Sequence, residues 1–432
     1  MRNEQAPPLG ASLGFRLSLM MFLQFAIWGA WLPILFPFLL GHRKFELSEV
    51  GMVLGAGALG AIVGPFLAGQ VADRYFSTER FLGVSHLIGA VLVWRLATET
   101  DFEVFLVLST IYGIVYAPTL ALTNSLAFHH LPDRDRDFGR IRLWGTIGWI
   151  AAGIAVGQWL LWKHTPAGVS SELIQAAQDA GRADAFRLSA LLGVVMGVYS
   201  FTLPHTPPSK GERASATLEA LSEIRHQPLI TLFLLAIPVS IVHQFYFVFT
   251  SDFLSKYGQG AGGKLADAIG RVFGVGGGGL MTIGQMSEIV VLGAIPLVAK
   301  KVSRKTLLAV GLLAYAGRMA LFAFASSLVP VLLGVALHGL CFGCFLFVAF
   351  MIVDEETSHD VRASAQNLFN LVVVGIGIAV GSPISTAIGA WATRDGVIDY
   401  PKLFQVPMWA ALACLALLLV FYPSGSRTPR TS

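Results

Sequence analysis

The chain has 432 residues, of which 55% are hydrophobic and 13% charged, with a formal net charge of +4 and a mean hydropathy of +0.67. Soluble globular chains carry about 25% charged residues, so a soluble fold is excluded. The cations are spread over short polar connections, and the continuous basic, solvated face that nucleic-acid binding requires is missing.

Apolar runs lie near residues 17–40, 48–72, 81–98, 104–128, 141–162 and 188–204, each near the roughly 20 residues that a membrane helix needs. The first run is too long for a signal-peptide core and lacks a small-residue cleavage pattern, so it is predicted to be retained. A polar connection follows, residues 205–228, in which Pro207, Pro208 and Gly211 break the chain before a short amphipathic stretch. Further runs lie near 229–254, 279–299, 306–325, 328–353, 363–391 and 404–422. The pattern predicts an all-α membrane protein of twelve transmembrane helices in two six-helix pseudo-symmetric bundles, residues 1–204 and 229–432, joined by a cytoplasmic linker over 205–228. A weak repeat supports two related halves. GQVADRYFSTERF follows the second helix, and PLVAKKVSRKTLL, also a tight cationic turn, follows the eighth. Lysine and arginine concentrate on the side that holds both termini, which predicts cytoplasmic termini. Two such halves with a site between them at mid-depth is a transporter plan.

Polar groups inside the apolar runs are the candidates for function. Glu288 lies within GLMTIGQMSEIVVLGAIPLVA, where an ionised side chain costs on the order of 2.5–3.5 kcal/mol, so it is expected to face an interior cavity. Gln285, three residues earlier, shares its helical face. Arg142, Thr146 and Trp149 fall at i, i+4 and i+7 and also share a face. Gln24 and Trp28 are expected either to face a cavity or to pack. Asn124 is either a cavity residue or interhelical glue. His338 is an isolated imidazole in an apolar run, and Arg318 lies near the centre of another and calls for a partner that the sequence does not identify. Arg95 is near enough to a helix end to reach the interface. The run Asp354, Glu355 and Glu356 reads as a solvated gate or as partners for Arg362. Cys341, Cys344 and Cys414 read as small packing residues. The glycines Gly276 to Gly279 lack the lysine and hydroxyl of a phosphate loop. No metal-ligand spacing or nucleophile elbow is present, so the chain is not expected to be an enzyme, to hold a metal or to need a cofactor.

Gly69, Asp73, Arg74 and then Arg80, between helices two and three, resemble the signature loop of the major facilitator superfamily, in which such a loop latches the halves in one state. FLQFAIWGAWLP (22–33), YAPTLALTNSLAF (116–128), IRLWGTIGWI (141–150), IGQMSE (283–288) and VRASAQNLF (361–369) together resemble the bacterial nucleoside:proton symporter family of that superfamily. The resemblance implies the major facilitator fold and a monomeric nucleoside transporter of the bacterial inner membrane, working by alternating access with proton symport. Its substrate is a nucleoside, its partners the proton and the lipid bilayer, with no nucleic acid. A carrier of a sugar or other polyhydroxylated solute, or an uncoupled facilitator, is the alternative. The implied nucleoside contacts are Arg142, Thr146, Trp149, Gln244, Gln285, Glu288 and Phe342, with Gln24 a further cavity candidate. Three positions depart from the family. Phe247 stands in place of an asparagine and His338 in place of a tyrosine, both still expected to line the substrate site, and Gly343 stands in place of an aspartate suited to proton coupling. Without that aspartate, Glu288 becomes the expected proton carrier and His338 the second candidate.

Overall fold

The computed structural model describes residues 7–67, 77–207, 214–257, 263–358 and 361–423. Nearly everything described is helical, because in a bilayer each backbone N–H and C=O must be satisfied within its own segment. In chain order the helices are α1 (Ala11–Arg43, ending in a π-helical turn), α2 (Leu47–Leu67), α3 (Thr78–Leu96), α4 (Phe102–His130) and α5 (Arg134–Lys163). Next come the short α6 (Ser171–Gly181), α7 (Ala183–Ser200), α8 (Ala214–Ile224), α9 (Leu229–Ser255) and α10 (Gly263–Phe273). The chain continues with α11 (Gly278–Val298), α12 (Arg304–Phe324) and α13 (Leu328–Glu356, π-helical over Cys341–Phe347). It then forms α14 (Arg362–Asn370, through a π-turn, to Gly377–Ala392) and α15 (Tyr400–Phe421). Among the described residues, ten helices are long and apolar enough to cross a membrane. The expected second and third runs are α2, with a shorter apolar stretch, and α3.

Polar residues set the helix starts. Asp101, Asp133, Ser170, Ser303 and Asp399 each accept a hydrogen bond from the backbone N–H three residues on, which satisfies a donor that the first turn leaves open. Between α14 and α15 a two-residue turn, Asp395 at φ +49° and Gly396 at φ +75°, closes a small hairpin of β1 (Thr393–Arg394) and β2 (Val397–Ile398). Positive φ at both central residues is what an Asp–Gly hairpin turn supplies.

The chain divides into two compact units. The first contains residues 1–45, 56–211 and 269–282; the second contains 46–55, 212–268 and 283–432. In the first unit α1 and α5 approach closely through glycine. A Cβ on Gly29 would lie 2.7 Å from the Trp149 Cα, and one on Gly148 would run into the Phe22 carbonyl. The Gly276–Gly279 run serves backbone geometry. Gly276 and Gly277 take φ of +80°, and the preceding loop pairs the Val275 N–H with the Gly157 carbonyl at 3.0 Å.

In the second unit Phe253, Phe322, Tyr400 and Phe404 interlock, with Phe253 centroids 5.1 Å from Tyr400 and 5.2 Å from Phe404. The linker helix α8 is tied down by Glu223, which accepts from the Ser358 N–H at 3.0 Å and hydroxyl at 2.6 Å. In the acidic run Asp354 takes the expected partner, Arg362, and Glu355 takes Arg304 instead. Arg304 donates twice to Glu355, and Arg362 lies 3.6 Å from Asp354. Cys341, Cys344 and Cys414 are free and buried, in keeping with packing roles.

Gly148→Ala places a methyl group against a backbone carbonyl that cannot swing aside. Overpacking of this kind costs about 1–3 kcal/mol, so the variant should unfold at lower temperature in detergent, while Gly139→Ala, where nothing lies within 4 Å, should not.

Candidate substrate and proton site

Glu288 sits half-buried on α11, its side chain 14% exposed, with a carboxylate oxygen 3.6 Å from Nε2 of His338 on α13. The helices reach this distance because each presents a glycine to the other. A Cβ on Gly284 would lie 2.8 Å from the Tyr246 hydroxyl and 2.9 Å from the His338 Cβ, and one on Gly339 would meet the Ser287 backbone at 2.5 Å. One turn on, a Cβ on Gly343 would come 2.6 Å from the Val291 side chain. Gly339 and Gly343 therefore form a small-residue seam of the kind that lets membrane helices approach. The position where the resemblance places an aspartate is used here for helix packing.

Arg318, whose partner the sequence left open, is fully buried on α12. Its Nη1 is 3.1 Å from His338 Nδ1. The guanidinium also lies over the rings of Tyr246 at 4.3 Å and Tyr315 at 5.1 Å, contacts worth roughly 0.5–2 kcal/mol each once desolvated. His338 stacks between neighbours, with Tyr246 at 4.8 Å and His243 at 5.5 Å, and Tyr315 pairs with His243 Nδ1 at 2.7 Å. Sequence reasoning missed Tyr246, Tyr315 and His243. A buried arginine calls for ring faces, but nothing in the pattern says which rings converge on it.

The other expected groups in this unit gather unevenly. Phe342 stacks beside His338 at 6.5 Å, and Phe247 stands edge-on to it at 6.0 Å. Gln285 is buried, and its side-chain carbonyl has no hydrogen-bond partner. Gln244, by contrast, spends its amide N–H on the Ser382 hydroxyl at 2.9 Å.

In the first unit Arg142, Thr146 and Trp149 are half-buried along α5 as their spacing requires. The Arg142 guanidinium lies 4.0 Å over the Phe25 ring, and Trp149 meets Trp28 edge-to-face at 6.4 Å. Gln24 departs from the expectation of a substrate contact. It is fully buried, donating to Thr119 at 2.8 Å and facing His86 Nε2 at 2.9 Å, while its backbone carbonyl accepts from Tyr116. Both ends of its amide are consumed inside the unit, so it acts as interhelical glue. The expected latch residues Gly69, Asp73 and Arg74 lie outside the described residues. Among the described residues no group of His, Cys, Asp or Glu is arranged to hold a metal ion.

Residues 11–426 match the family described as "Nucleoside H+ symporter". The putative nucleoside transporter YegT of Escherichia coli is 35% identical over 375 residues, covering 85% of this chain and 82% of that protein. The xanthosine permease of Escherichia coli is 28% identical, covering 95% and 96%. A crystal structure of a point mutant of the nucleoside transporter NupG superimposes with a TM-score of 0.82 at 25% identity, covering 95% of this chain and all of that one.

Gly343→Ala tests the packing role of that glycine. The new side chain must displace Val291, so the variant should lose about 1–3 kcal/mol of stability. Adding Val291→Ala should return most of it, as coupled neighbours do, read from paired denaturation curves.

Proposed function

The chain belongs to the nucleoside H+ symporter family, and from that premise we propose a proton-coupled nucleoside transporter of the bacterial inner membrane that works by alternating access. It is a carrier and not an enzyme, and its helical architecture is that of the major facilitator superfamily. The proposal includes a monomer with both termini cytoplasmic, and six-helix bundles over 1–204 and 229–432 joined by the 205–228 linker.

The observation that carries the reading is the half-buried Glu288 beside His338, with the unsatisfied Gln285 carbonyl on the same helix. Ribose hydroxyls donate to a carboxylate or an amide carbonyl and accept from an amide N–H. Glu288 and Gln285 therefore suit the sugar, and the Phe342 ring offers a flat face to a base. Arg142, Thr146 and Trp149 are proposed in their own right as nucleoside contacts, supported by the IRLWGTIGWI resemblance and by their shared face. Phe247, where the family has an amide, removes one hydrogen-bonding group from base recognition. Glu288 and His338 form the proton-bearing pair. A gradient of one pH unit is worth about 1.4 kcal/mol, or tenfold accumulation for one proton per nucleoside.

Radiolabelled uridine or adenosine uptake into proteoliposomes, with and without an inward proton gradient, tests this. The wild type should accumulate nucleoside only with the gradient. Glu288→Gln should still exchange nucleoside in counterflow, more slowly, but should not accumulate it. Full gradient-driven accumulation by that variant would remove Glu288 from proton coupling. Gln285→Ala, losing a neutral hydrogen bond of about 0.5–1.5 kcal/mol, should raise the apparent Kd by up to about tenfold.

A further inference from the structure

The proton-bearing pair contains two titratable groups, and a buried third residue distinguishes them. Arg318 reaches His338 Nδ1 at 3.1 Å from one side, and Glu288 faces Nε2 at 3.6 Å from the other. A guanidinium stays protonated, carries five N–H donors and has no acceptor. The ring nitrogen it addresses must therefore be the one with a free lone pair. In neutral imidazole that leaves the hydrogen on Nε2, pointing at an acceptor-only carboxylate. A proton on Nδ1 would set two donors against each other at hydrogen-bond distance. An imidazolium would set two cations in contact in a site from which both side chains exclude water, His338 at 2% exposure and Arg318 at 0%.

We propose that Arg318 is a positioning residue for proton coupling: by donating to Nδ1 it holds His338 as the neutral Nε2–H tautomer, with the N–H on the side that faces Glu288, so that His338 keeps its proton and Glu288 alone takes up and releases one. The inference rests on the proton-coupled reading above and narrows it from a pair of groups to one. The Glu288 carboxylate gains a proton from one side of the membrane and returns it to the other; His338 keeps its single proton throughout.

The surroundings agree with a fixed imidazole. From α9, His243 and Tyr246 stack on the ring, and from α12, Arg318 and Tyr315 approach, with Tyr315 engaged by His243 at 2.7 Å. Cys341 follows one turn along α13, and Glu288 is the facing group from α11. Nε and Nη2 of Arg318 have no hydrogen-bond partner, and the guanidinium carbon lies 4.3 Å from the Tyr246 centroid and 5.1 Å from that of Tyr315. The guanidinium thus has two ring neighbours and one directed hydrogen bond, to His338.

Nitrogen NMR of the detergent-solubilised full chain carrying ¹⁵N-histidine, with the His338 signals assigned by their loss in His338→Gln, reads the tautomer without any need for transport. The expected spectrum shows an unprotonated Nδ1 and a protonated Nε2 for His338 at every pH from about 5 to 8, the range in which an unperturbed histidine titrates. An Nδ1–H tautomer, or titration to imidazolium in that range, overturns the proposal. In proteoliposomes, His338→Gln should slow uptake but leave the midpoint of its pH profile in place. Arg318→Met should add an ionisation between about pH 5 and 8, lost again in Arg318→Met/His338→Gln, and Arg318→Lys should restore the single midpoint. A wild-type ionisation that His338→Gln removes, or an Arg318→Met profile identical to wild type, overturns the assignment. Should Arg318→Met not fold, the spectrum of the unmutated protein decides alone. If nucleoside uptake shows no proton dependence while the tautomer is as expected, it is the proton-coupled reading that fails and the positioning of His338 that stands.

Discussion

A permanently charged guanidinium with no exposed surface dictates the centre of the second unit. Arg318 cannot shed its proton, so the fold has to offer it electron-rich partners. Two tyrosine faces and one imidazole nitrogen do so. That single demand draws side chains from α9, α12 and α13 onto one point. It fixes one nitrogen of His338, whose other nitrogen lies 3.6 Å from the one carboxylate of α11. The proposed proton site is thus a consequence of how a buried cation is accommodated.

Such an arrangement needs helices that approach more closely than side chains ordinarily permit. Gly284, Gly339 and Gly343 supply this along α11 and α13, each lying where a Cβ would strike the neighbouring helix. In a lipid environment there is no hydrophobic drive between helices, and close van der Waals contact through small residues takes its place. The same device joins α1 to α5 through Gly29 and Gly148 in the first unit. It also accounts for the departure at Gly343. A carboxylate there and the present seat of Val291 are mutually exclusive without rearrangement.

The polar residues inside the membrane helices divide into two kinds. Gln24, His86, Thr119 and Tyr116 form a hydrogen-bonded network that consumes both ends of the Gln24 amide inside the first unit. Gln285 keeps an unmatched side-chain carbonyl beside the carboxylate of Glu288 on the same helix. An unmatched acceptor away from water is costly, and a polar solute that fills it recovers that cost. Residue type does not separate the two kinds, since Gln24 and Gln285 are both glutamines in apolar runs.

The sequence by itself determined the all-helical membrane architecture. A span of roughly twenty apolar residues is a local property, and the bilayer leaves a chain no alternative to satisfying its backbone along the helix. It also determined the shared face of Arg142, Thr146 and Trp149 and the pairing of Gln285 with Glu288, because helical periodicity is local too. Only the tertiary structure decided the partner of Arg318, the fate of Gln24 and the use of Gly343. Each depends on which residue of a distant helix arrives opposite: His338 is twenty positions from Arg318, Thr119 is ninety-five from Gln24, and Val291 faces Gly343 from another helix. Those meetings are set by close packing between helices, and no periodicity within one helix records them.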